Sequence, residues 1–274
     1  MCSGLSNGTG KAWVGRKNPL TYLTDLLTAG ANHGAQPLEG NALERFLPWL
    51  MSDTNKKTWD MEESLGQAGW RSYATDPGPL LVGTRRDLGA LTLHRVACRK
   101  DSGLWNELIE RYHYLGYTPL PGAQIRYLIR NESRLLGAIG MGASAWKVAP
   151  RDLFIGWTPT QREQRLHLVI NQARFLILPW VQVKNLASSV LSLLSTQVAS
   201  DWKMLYAYRP VLMETFVEQK RFQGTCYRAA NWIYVGQTQG RGKLDIHNLK
   251  DKPVKNIFLF PLEKNFRYVL TKPT

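Results

Sequence analysis

Apolar and polar residues alternate over several short runs in the second two thirds of the chain, a pattern typical of strands with one buried face. Residues 124–130 and 135–142 alternate on either side of the turn Asn131-Glu132-Ser133, which predicts a hairpin. Residues 169–178 are mostly apolar, as expected of a strand that is covered on both faces. Similar runs predict shorter strands at residues 90–96, 152–157, 210–217 and 231–235.

Apolar residues at helical spacing separate these strands. Ser102, Thr160 and Asn185 are each suited to cap a helix, and a long helix is predicted after Asn185. Leucines also recur at helical spacing after Asn18, which predicts a small helical region near the N-terminus. Together these elements predict an α+β fold: a mixed sheet flanked by helices, plus the small N-terminal helical region.

The predicted strand order is similar to that of acetyltransferases of the GCN5-related type, in which two adjacent parallel strands splay apart to form a cleft. Residues 169–178 and 210–217 would be those two strands. This similarity of fold does not by itself imply acyl transfer. Coenzyme A would also need a Gly-rich turn after the first of these strands, whereas residues 179–185 contain no glycine. No coenzyme A is therefore expected.

Composition divides the chain into four predicted regions. Residues 1–15 are rich in Gly and Ser and are predicted to be a flexible tail. Residues 16–88 hold the small helical region and a polar linker, and residues 89–242 form the α+β core domain. Residues 243–274 are a basic C-terminal segment, in which the apolar run 257–262 predicts an edge strand.

The charge of the chain points to a polyanionic partner. There are 35 Lys and Arg residues against 21 Asp and Glu, which gives a formal net charge of +14. Such a balance favours nucleic acid as the partner, although a basic surface can also serve solubility alone. The three cysteines are far apart and form no CxxC pair, so neither a disulfide framework nor a zinc finger is expected.

The chain shows no sign of a membrane partner. Its first residues lack the apolar core of a signal peptide, and no apolar run approaches the length of a membrane span. We therefore expect a soluble, cytoplasmic protein.

Two carboxylates are candidates for chemistry. Glu214 lies inside an apolar strand, where a carboxylate is costly unless it is paired. It is a candidate catalytic base, and the alternative is a structural ion pair with Arg174 or Arg228. Asp152 could join Glu214 in binding Mg²⁺ or Mn²⁺, which prefer oxygen ligands. The alternative for Asp152 is a simple turn with Arg151.

Two further residues are candidates for catalysis, and several are candidates for binding nucleic acid. His113 ends a predicted helix, where it can transfer a proton or merely interact with the helix terminus. Tyr227 can attack a phosphodiester, act as an acid or stack on a base. Arginine suits phosphate because its guanidinium forms bidentate contacts. The candidate contacts to nucleic acid are Arg126, Arg174, Arg228, Asn231, Arg241 and Lys243.

A set of motifs occurs in fixed order between about residues 90 and 262. They are Trp105-Asn106-Glu107-Leu108, Tyr112-His113-Tyr114-Leu115-Gly116-Tyr117, Gln124, Arg126-Tyr127-Leu128, Leu136-Gly137-Ala138, Ala145-Trp146, Arg151-Asp152, Ile155-Gly156-Trp157, Asn171, Arg174-Phe175-Leu176-Ile177-Leu178-Pro179-Trp180-Val181, Asn185-Leu186-Ala187-Ser188 and the stretch 212–242. In these motifs the chain resembles the DruA family of the Druantia anti-phage defence system, whose related domains occur near or within transposases. The resemblance implies a role in phage defence, DNA as the substrate, and a helicase among the partner proteins.

Three functions are compatible with these residues. The first is a DNA-processing, strand-cleaving protein whose cleft lies between the strands at 169–178 and 210–217. The second is a non-catalytic nucleic-acid-binding adaptor that recruits a helicase. The third is a GCN5-like group transferase that acts on nucleic acid or protein. A homo-oligomer is compatible with each of them.

Overall fold

A seven-stranded mixed sheet organises the part of the chain that the computed structural model describes, residues 73–240 and 252–273. The predicted tail at residues 1–15, most of the predicted helical region and linker, Arg241 and Lys243 lie outside the described residues. Within the described part, no helix is both long and apolar enough to cross a bilayer.

Nine strands are described. They are β1 (Leu81–Thr84), β2 (Thr92–Arg95), β3 (Ile125–Arg130), β4 (Leu135–Ala143), β5 (Val169–Ile177), β6 (Val181–Lys184), β7 (Leu212–Glu218), β8 (Ile233–Gln237) and β9 (Lys255–Pro261). The large sheet has the order β2-β3-β4-β5-β7-β9-β8, and β1 pairs with β6 in a separate two-stranded sheet. The predicted α+β class and the GCN5-like strand order are confirmed.

Helices flank this sheet. They are α1 (Arg99–Tyr112), α2 (Ala149–Ile155), α3 (Pro159–Arg165), α4 (Leu186–Tyr206), α5 (Thr225–Ala229) and α6 (Phe266–Thr271). The long helix α4 buries residues every three or four positions, including Val190, Leu194 and Val198, as an amphipathic helix does. These side chains join the larger of two core clusters of buried residues.

Strand β7 is covered on both sides. Met213 and Val217 belong to the core cluster that contains α4, whereas Leu212 and Phe216 belong to the cluster that contains α2 and α6. Alternate residues of a strand point to opposite faces of the sheet. Glu214 is on the same face as Leu212 and Phe216, so its carboxylate enters the second, smaller cluster.

The two central strands separate part of the way along their length. In the large sheet, β5 and β7 are the parallel pair, and they are paired only from Val169 opposite Leu212 to Gln172 opposite Thr215. Beyond that point β5 continues to pair with β4 up to Ile177. Strand β7 continues to pair with β9 up to Glu218. The sheet therefore opens between the carboxyl ends of β5 and β7.

Two element predictions are wrong. Residues 152–157 were expected to be extended, but helix α2 covers most of them. Pro150 in its first turn and the left-handed Gly156 at its end are helix signals that outweigh the short apolar run. The apolar run at 257–262 was expected to be an edge strand, but β9 is hydrogen-bonded on both sides, to β7 and β8.

The helix caps differ from the predicted ones in two of three cases. Cys98, and not Ser102, precedes α1 and accepts a hydrogen bond from the Asp101 amide. Thr158, and not Thr160, caps α3 in a reciprocal arrangement with Gln161. Asn185 does precede α4, but its positive φ of 63° leaves its side chain without a capping hydrogen bond.

Candidate functional site

The opening between β5 and β7 is a cleft of about 650 Å³. Its walls come from β5 and β7, from residues 113–115 after α1, from residues 221–227 and from Lys255 at the start of β9. The predicted cleft between these two strands is therefore present. Its volume is within the range of about 300–1,000 Å³ that is usual for pockets that bind small ligands.

Positive charge dominates the cleft. Arg174, Arg221 and Lys255 line it, and none of the described lining residues is a carboxylate. Arg221 forms an ion pair with Glu218 at 3.0 Å. Arg174 and Lys255 form no ion pair with any carboxylate of the described residues. Burial lowers the pKa of the Arg174 guanidinium, which shows the cost of holding this charge without a counter-ion.

Three residues of β5 each carry a buried polar atom without a hydrogen-bond partner. The atoms are Asn171 Oδ1, Gln172 Nε2 and Arg174 Nε, and all three residues line the cleft. Gln172 is only 3% exposed. Each unpartnered buried polar group costs about 1–3 kcal/mol. Asn171 and Gln172 are consecutive in the strand, so their side chains point to opposite faces of the sheet.

Tyr227 lies beneath the cleft and fixes the orientation of Gln172. Its hydroxyl donates to Gln172 Oε1 at 2.9 Å, which leaves Nε2 as the free end of the amide. The ring stacks on Phe258 with the centroids 5.4 Å apart. Burial raises the pKa of the Tyr227 hydroxyl, so it stays protonated at neutral pH. This arrangement suits Tyr227 to positioning Gln172 better than to nucleophilic attack.

His113 lies in the cleft wall directly after α1. Its Nδ1 accepts a hydrogen bond from the Leu115 amide at 3.3 Å, so in the neutral ring Nε2 carries the proton. Burial, and then the positive charge of Arg174, lowers the pKa of His113 to about 4. His113 is therefore a neutral hydrogen-bond donor at physiological pH.

The protonation of His113 can be followed directly. In an NMR titration, its ring resonances are expected to move with a midpoint near pH 4, because burial and Arg174 both disfavour the imidazolium. Changing Arg174→Met should raise that midpoint, since the repelling charge is gone. A midpoint near 6.5 that Arg174→Met leaves in place would contradict this description of the cleft wall.

An aromatic and cationic cluster lies at the mouth of the cleft. The Arg221 guanidinium lies 5.2 Å from the centroid of the Tyr114 ring, and Tyr114 lies 5.4 Å from Phe222, centroid to centroid. Phe222 is 49% exposed. Exposed aromatic rings beside cations are the groups on which unstacked bases stack in proteins that bind single strands.

Arg151 brings Glu214 and Asp152 together. None of these three residues lines the cleft. Arg151 and Glu214 are both 0% exposed, and Arg151 Nη1 donates to Glu214 Oε2 at 2.9 Å. Arg151 Nη2 donates to Asp152 Oδ1 at 2.8 Å. Glu214 Oε1 accepts from the Ala145 amide at 2.9 Å. Burial raises the pKa of the Glu214 carboxyl, and the charge of Arg151 opposes that rise.

This buried ion cluster differs from the expected pairing of Glu214. The expectation that Arg174 or Arg228 would compensate Glu214 is wrong, because Arg151 does so. A metal ion bound by both carboxylates would have to displace the guanidinium that now bridges them. Among the described residues, no group of three or more His, Cys, Asp or Glu side chains is arranged to hold a metal. The catalytic and metal-binding roles of Glu214 and Asp152 remain predictions.

The candidate contacts to nucleic acid are dispersed. Arg174 lies in the cleft, whereas Arg126 donates to Asn106 Oδ1 and lies 5.5 Å from the Trp105 ring centroid. Arg228 is exposed and lies over the rings of Tyr234 and Phe258. Asn231 has a φ of 60° and lines a smaller pocket of about 250 Å³ beside α4. Arg241 and Lys243 lie outside the described residues.

Several cleft residues were not candidates from the sequence. Asn171 and Gln172, like Arg174, interrupt a mostly apolar run, and polar residues inside a buried strand are a signal that the interpretation of 169–178 as a core strand overlooked. Arg221 and Lys255 carry no such local signal, since only the strand order brings them to the cleft.

The segment that would hold coenzyme A in this type of fold does not suit that cofactor. A pyrophosphate needs backbone amides presented by a free, Gly-rich turn before a helix. Between β5 and α4, residues Val181–Lys184 instead form β6 and pair in parallel with β1. The Val181 amide is bonded to Leu178 O. The residues present do not fit coenzyme A. That the protein works without coenzyme A remains a prediction.

The chain matches one protein family in sequence, and its fold is similar to those of several solved structures. The family model described as Druantia protein DruA matches residues 67–251. No curated protein sequence matches the chain.

Solved structures of acetyltransferases are similar at low identity. An aminoglycoside acetyltransferase in complex with coenzyme A has 12% identity and a TM-score of 0.42, over 67% of this chain and 100% of that one. A Drosophila melanogaster polyamine N-acetyltransferase has 11% identity and a TM-score of 0.40, over 63% and 100%. A GNAT-family acetyltransferase from Bacillus cereus has 12% identity and a TM-score of 0.36, over 63% and 98%. Similarities at this level say nothing about activity.

Proposed function

The chain belongs to the family of Druantia protein DruA, and on that premise we propose that it is a DNA-binding component of an anti-phage defence system. In this proposal the cleft between β5 and β7 takes up DNA. The observation that carries it is Arg174, a half-buried cation in the cleft with no carboxylate partner among the described residues. A phosphate would neutralise this guanidinium through charge-assisted hydrogen bonds.

The surroundings of Arg174 support the same ligand. Arg221 and Lys255 add positive charge to the cleft, and Tyr114 and Phe222 add aromatic surface at its mouth. The net charge of +14 would attract a polyanion to the protein from a distance. Alternating phosphates and bases need this combination of cations and rings.

The proposal concerns binding, and strand cleavage is not part of it. Glu214 and Asp152 are held by Arg151, Tyr227 has a raised pKa, and His113 is a neutral donor. These properties favour the adaptor hypothesis over the nuclease hypothesis. The helicase partner that the family resemblance implies would then receive DNA from this chain.

Fluorescence anisotropy with a labelled DNA oligonucleotide tests the proposal. Arg174→Met removes one charge-assisted contact, which is worth about 1.5–3 kcal/mol, so affinity should fall roughly 10- to 100-fold. The slope of log K against log salt should become shallower by about 1. The matched control is Arg134→Met, which removes the same charge from an exposed turn outside the cleft. Equal effects of the two variants, or no binding by the wild type, would reject the proposal.

A further inference from the structure

The loop between β4 and α2, residues 144–148, is held by the buried ion cluster. The Ala145 amide donates to Glu214 Oε1 at 2.9 Å, and Arg151 Nη1 donates to Ala145 O at 2.7 Å. Arg151 Nη2 also donates to Trp146 O at 3.4 Å. Three hydrogen bonds from one fully buried ion pair therefore fix the backbone at two consecutive residues of the loop.

Holding this loop is a role that an apolar pair could not take. A buried ion pair adds little stability in itself, because desolvation offsets the attraction of the charges. Arg151 and Glu214 nevertheless give the loop two donors and an acceptor, which hydrophobic side chains lack. The end of the loop is tied to the same cluster, since the Val148 amide donates to Asp152 Oδ2 at 3.2 Å.

The side chain of Trp146 lies on the outside of this fixed loop. It is 57% exposed, so most of its apolar ring forgoes the stabilisation that burial would give. A ring on a rigid backbone loses little freedom when a ligand settles on it. The exposed ring and the fixed loop together have the properties of a preorganised contact surface.

Positive charge lies beside this ring. Lys147 is exposed and forms no ion pair with a carboxylate of the described residues. The Arg162 guanidinium lies 5.6 Å from the Trp146 ring centroid and also pairs with Asp152 at 3.6 Å. The loop thus presents one aromatic ring and one free cation. Nucleic acid needs this pair of groups, whereas a protein interface is built around a broader apolar core.

We propose, resting on the DNA binding proposed above, that Trp146 is a second contact to DNA, outside the residues that line the cleft. An unstacked base lies on the exposed face of the ring, and an adjoining phosphate lies on Lys147. Arg151 and Glu214 are the positioning residues that hold the ring for this contact. A base inside a duplex is stacked on both faces, so the contact selects an unpaired base.

Fluorine NMR on the full chain follows the ring directly. The protein is labelled with 5-fluorotryptophan, and the resonance of Trp146 is identified among the ten tryptophans as the one missing from Trp146→Phe. A single-stranded oligonucleotide should shift this resonance. A strand of the same length that carries abasic sugars, and polyglutamate, should leave it in place. An equal shift with polyglutamate would assign the loop to an acidic protein and overturn the proposal.

Binding measurements assign the effect to stacking. Trp146→Ala should lower the affinity for the single strand roughly 10-fold, because one stacked base contributes about that factor. The affinity for the abasic strand should not change, and Trp146→Phe, which keeps a ring, should stay within a few-fold of the wild type. The matched control is Tyr268→Ala, which removes a 67% exposed ring from α6. An equal loss in that control would overturn the assignment to Trp146.

The double variant Arg151→Met with Glu214→Gln tests the positioning role. It keeps the ring of Trp146 but removes the hydrogen bonds from Arg151 to the loop. Affinity for the single strand should fall several-fold while affinity for the abasic strand stays the same, a difference that lower stability alone would not produce. Affinity equal to that of the wild type would overturn the positioning role. If this variant does not fold, the fluorine spectrum and Trp146→Ala decide the contact.

The outcomes separate this inference from the proposed function. Binding that depends on Arg174 and leaves the Trp146 resonance in place would overturn the inference and leave DNA binding at the cleft intact. No binding of any DNA probe would overturn both. A single strand that shifts the Trp146 resonance but binds equally well after Arg174→Met would support the contact at the loop and reject the cleft.

Discussion

Changing Arg151→Met is expected to lower the free energy of unfolding by about 3–5 kcal/mol, because it leaves a buried carboxylate without its counter-ion. Glu214 is 0% exposed, and Arg151 is its ion-pair partner at 2.9 Å. Urea denaturation at neutral pH measures the loss. The deficit should shrink as the pH falls towards 5, since burial already raises the pKa of Glu214 and the protonated carboxyl needs no counter-ion.

A double variant provides the control. Arg151→Met together with Glu214→Gln removes the two fully buried charges, keeps an acceptor for the Ala145 amide and leaves Asp152, the other carboxylate that Arg151 contacts, with Arg162 as its remaining ion-pair partner. It should recover most of the stability, because replacing a whole buried ion pair costs far less than breaking it. If the double variant were no more stable than Arg151→Met alone, the loss would come from packing and the ion pair would not be its cause.

Removing all three cations of the cleft should have the largest effect on DNA. The triple variant Arg174→Met, Arg221→Met and Lys255→Met eliminates the charges that line the cleft but keeps aliphatic side chains there. At about 1.5 kcal/mol for each contact, affinity should fall on the order of 1,000-fold at low salt. The salt dependence should lose about two units of slope for a single strand.

The matched control removes the same net charge from residues outside the cleft. Arg134, Lys203 and Lys264 are exposed cations that do not line the cleft, and their change to methionine removes the same three charges. This control should bind within a few-fold of the wild type if the cleft is the site. Comparable losses in the two triple variants would mean that DNA responds to overall charge alone.

Local patterns were sufficient for most of the sheet. The hairpin β3–β4 and the strands β5 and β7 follow from alternation, turn residues and apolar runs, which are properties of neighbouring residues. The short run at 152–157 was misinterpreted because a few residues fit either periodicity. Pro150 before the run and Gly156 within it are the helix signals that predict the observed structure. The inner position of β9 depends on pairing with β7 and β8, which no local pattern reveals.

The candidate site was only partly predictable, since its parts are far apart in the chain. Glu214 was singled out correctly as a costly buried carboxylate, but its partner Arg151 lies 63 positions away. The sequence contained Asn171 and Gln172 as polar interruptions of an apolar strand. Both residues are still paired with β7, opposite Glu214 and Thr215, and only the strand register shows that the cleft opens directly after them.

In the proposed function, the separation of β5 and β7 provides the opening that DNA enters. The same strand order opens the sheet in the middle, but β6 occupies the segment where a cofactor pyrophosphate would lie. Cations from β5, from β9 and from the segment after β7 line this opening. The fold thus supplies the opening, and the side chains set its chemistry.

Photochemical crosslinking tests most directly whether DNA enters the cleft. A single-stranded oligonucleotide that carries one iododeoxyuridine is irradiated in complex with the wild-type protein, and the adduct is located by mass spectrometry. The account predicts an adduct on an aromatic residue of the cleft, Tyr114 or Phe222, that the triple cation variant abolishes. An adduct found only outside the residues that line the cleft, and unchanged in that variant, would contradict it.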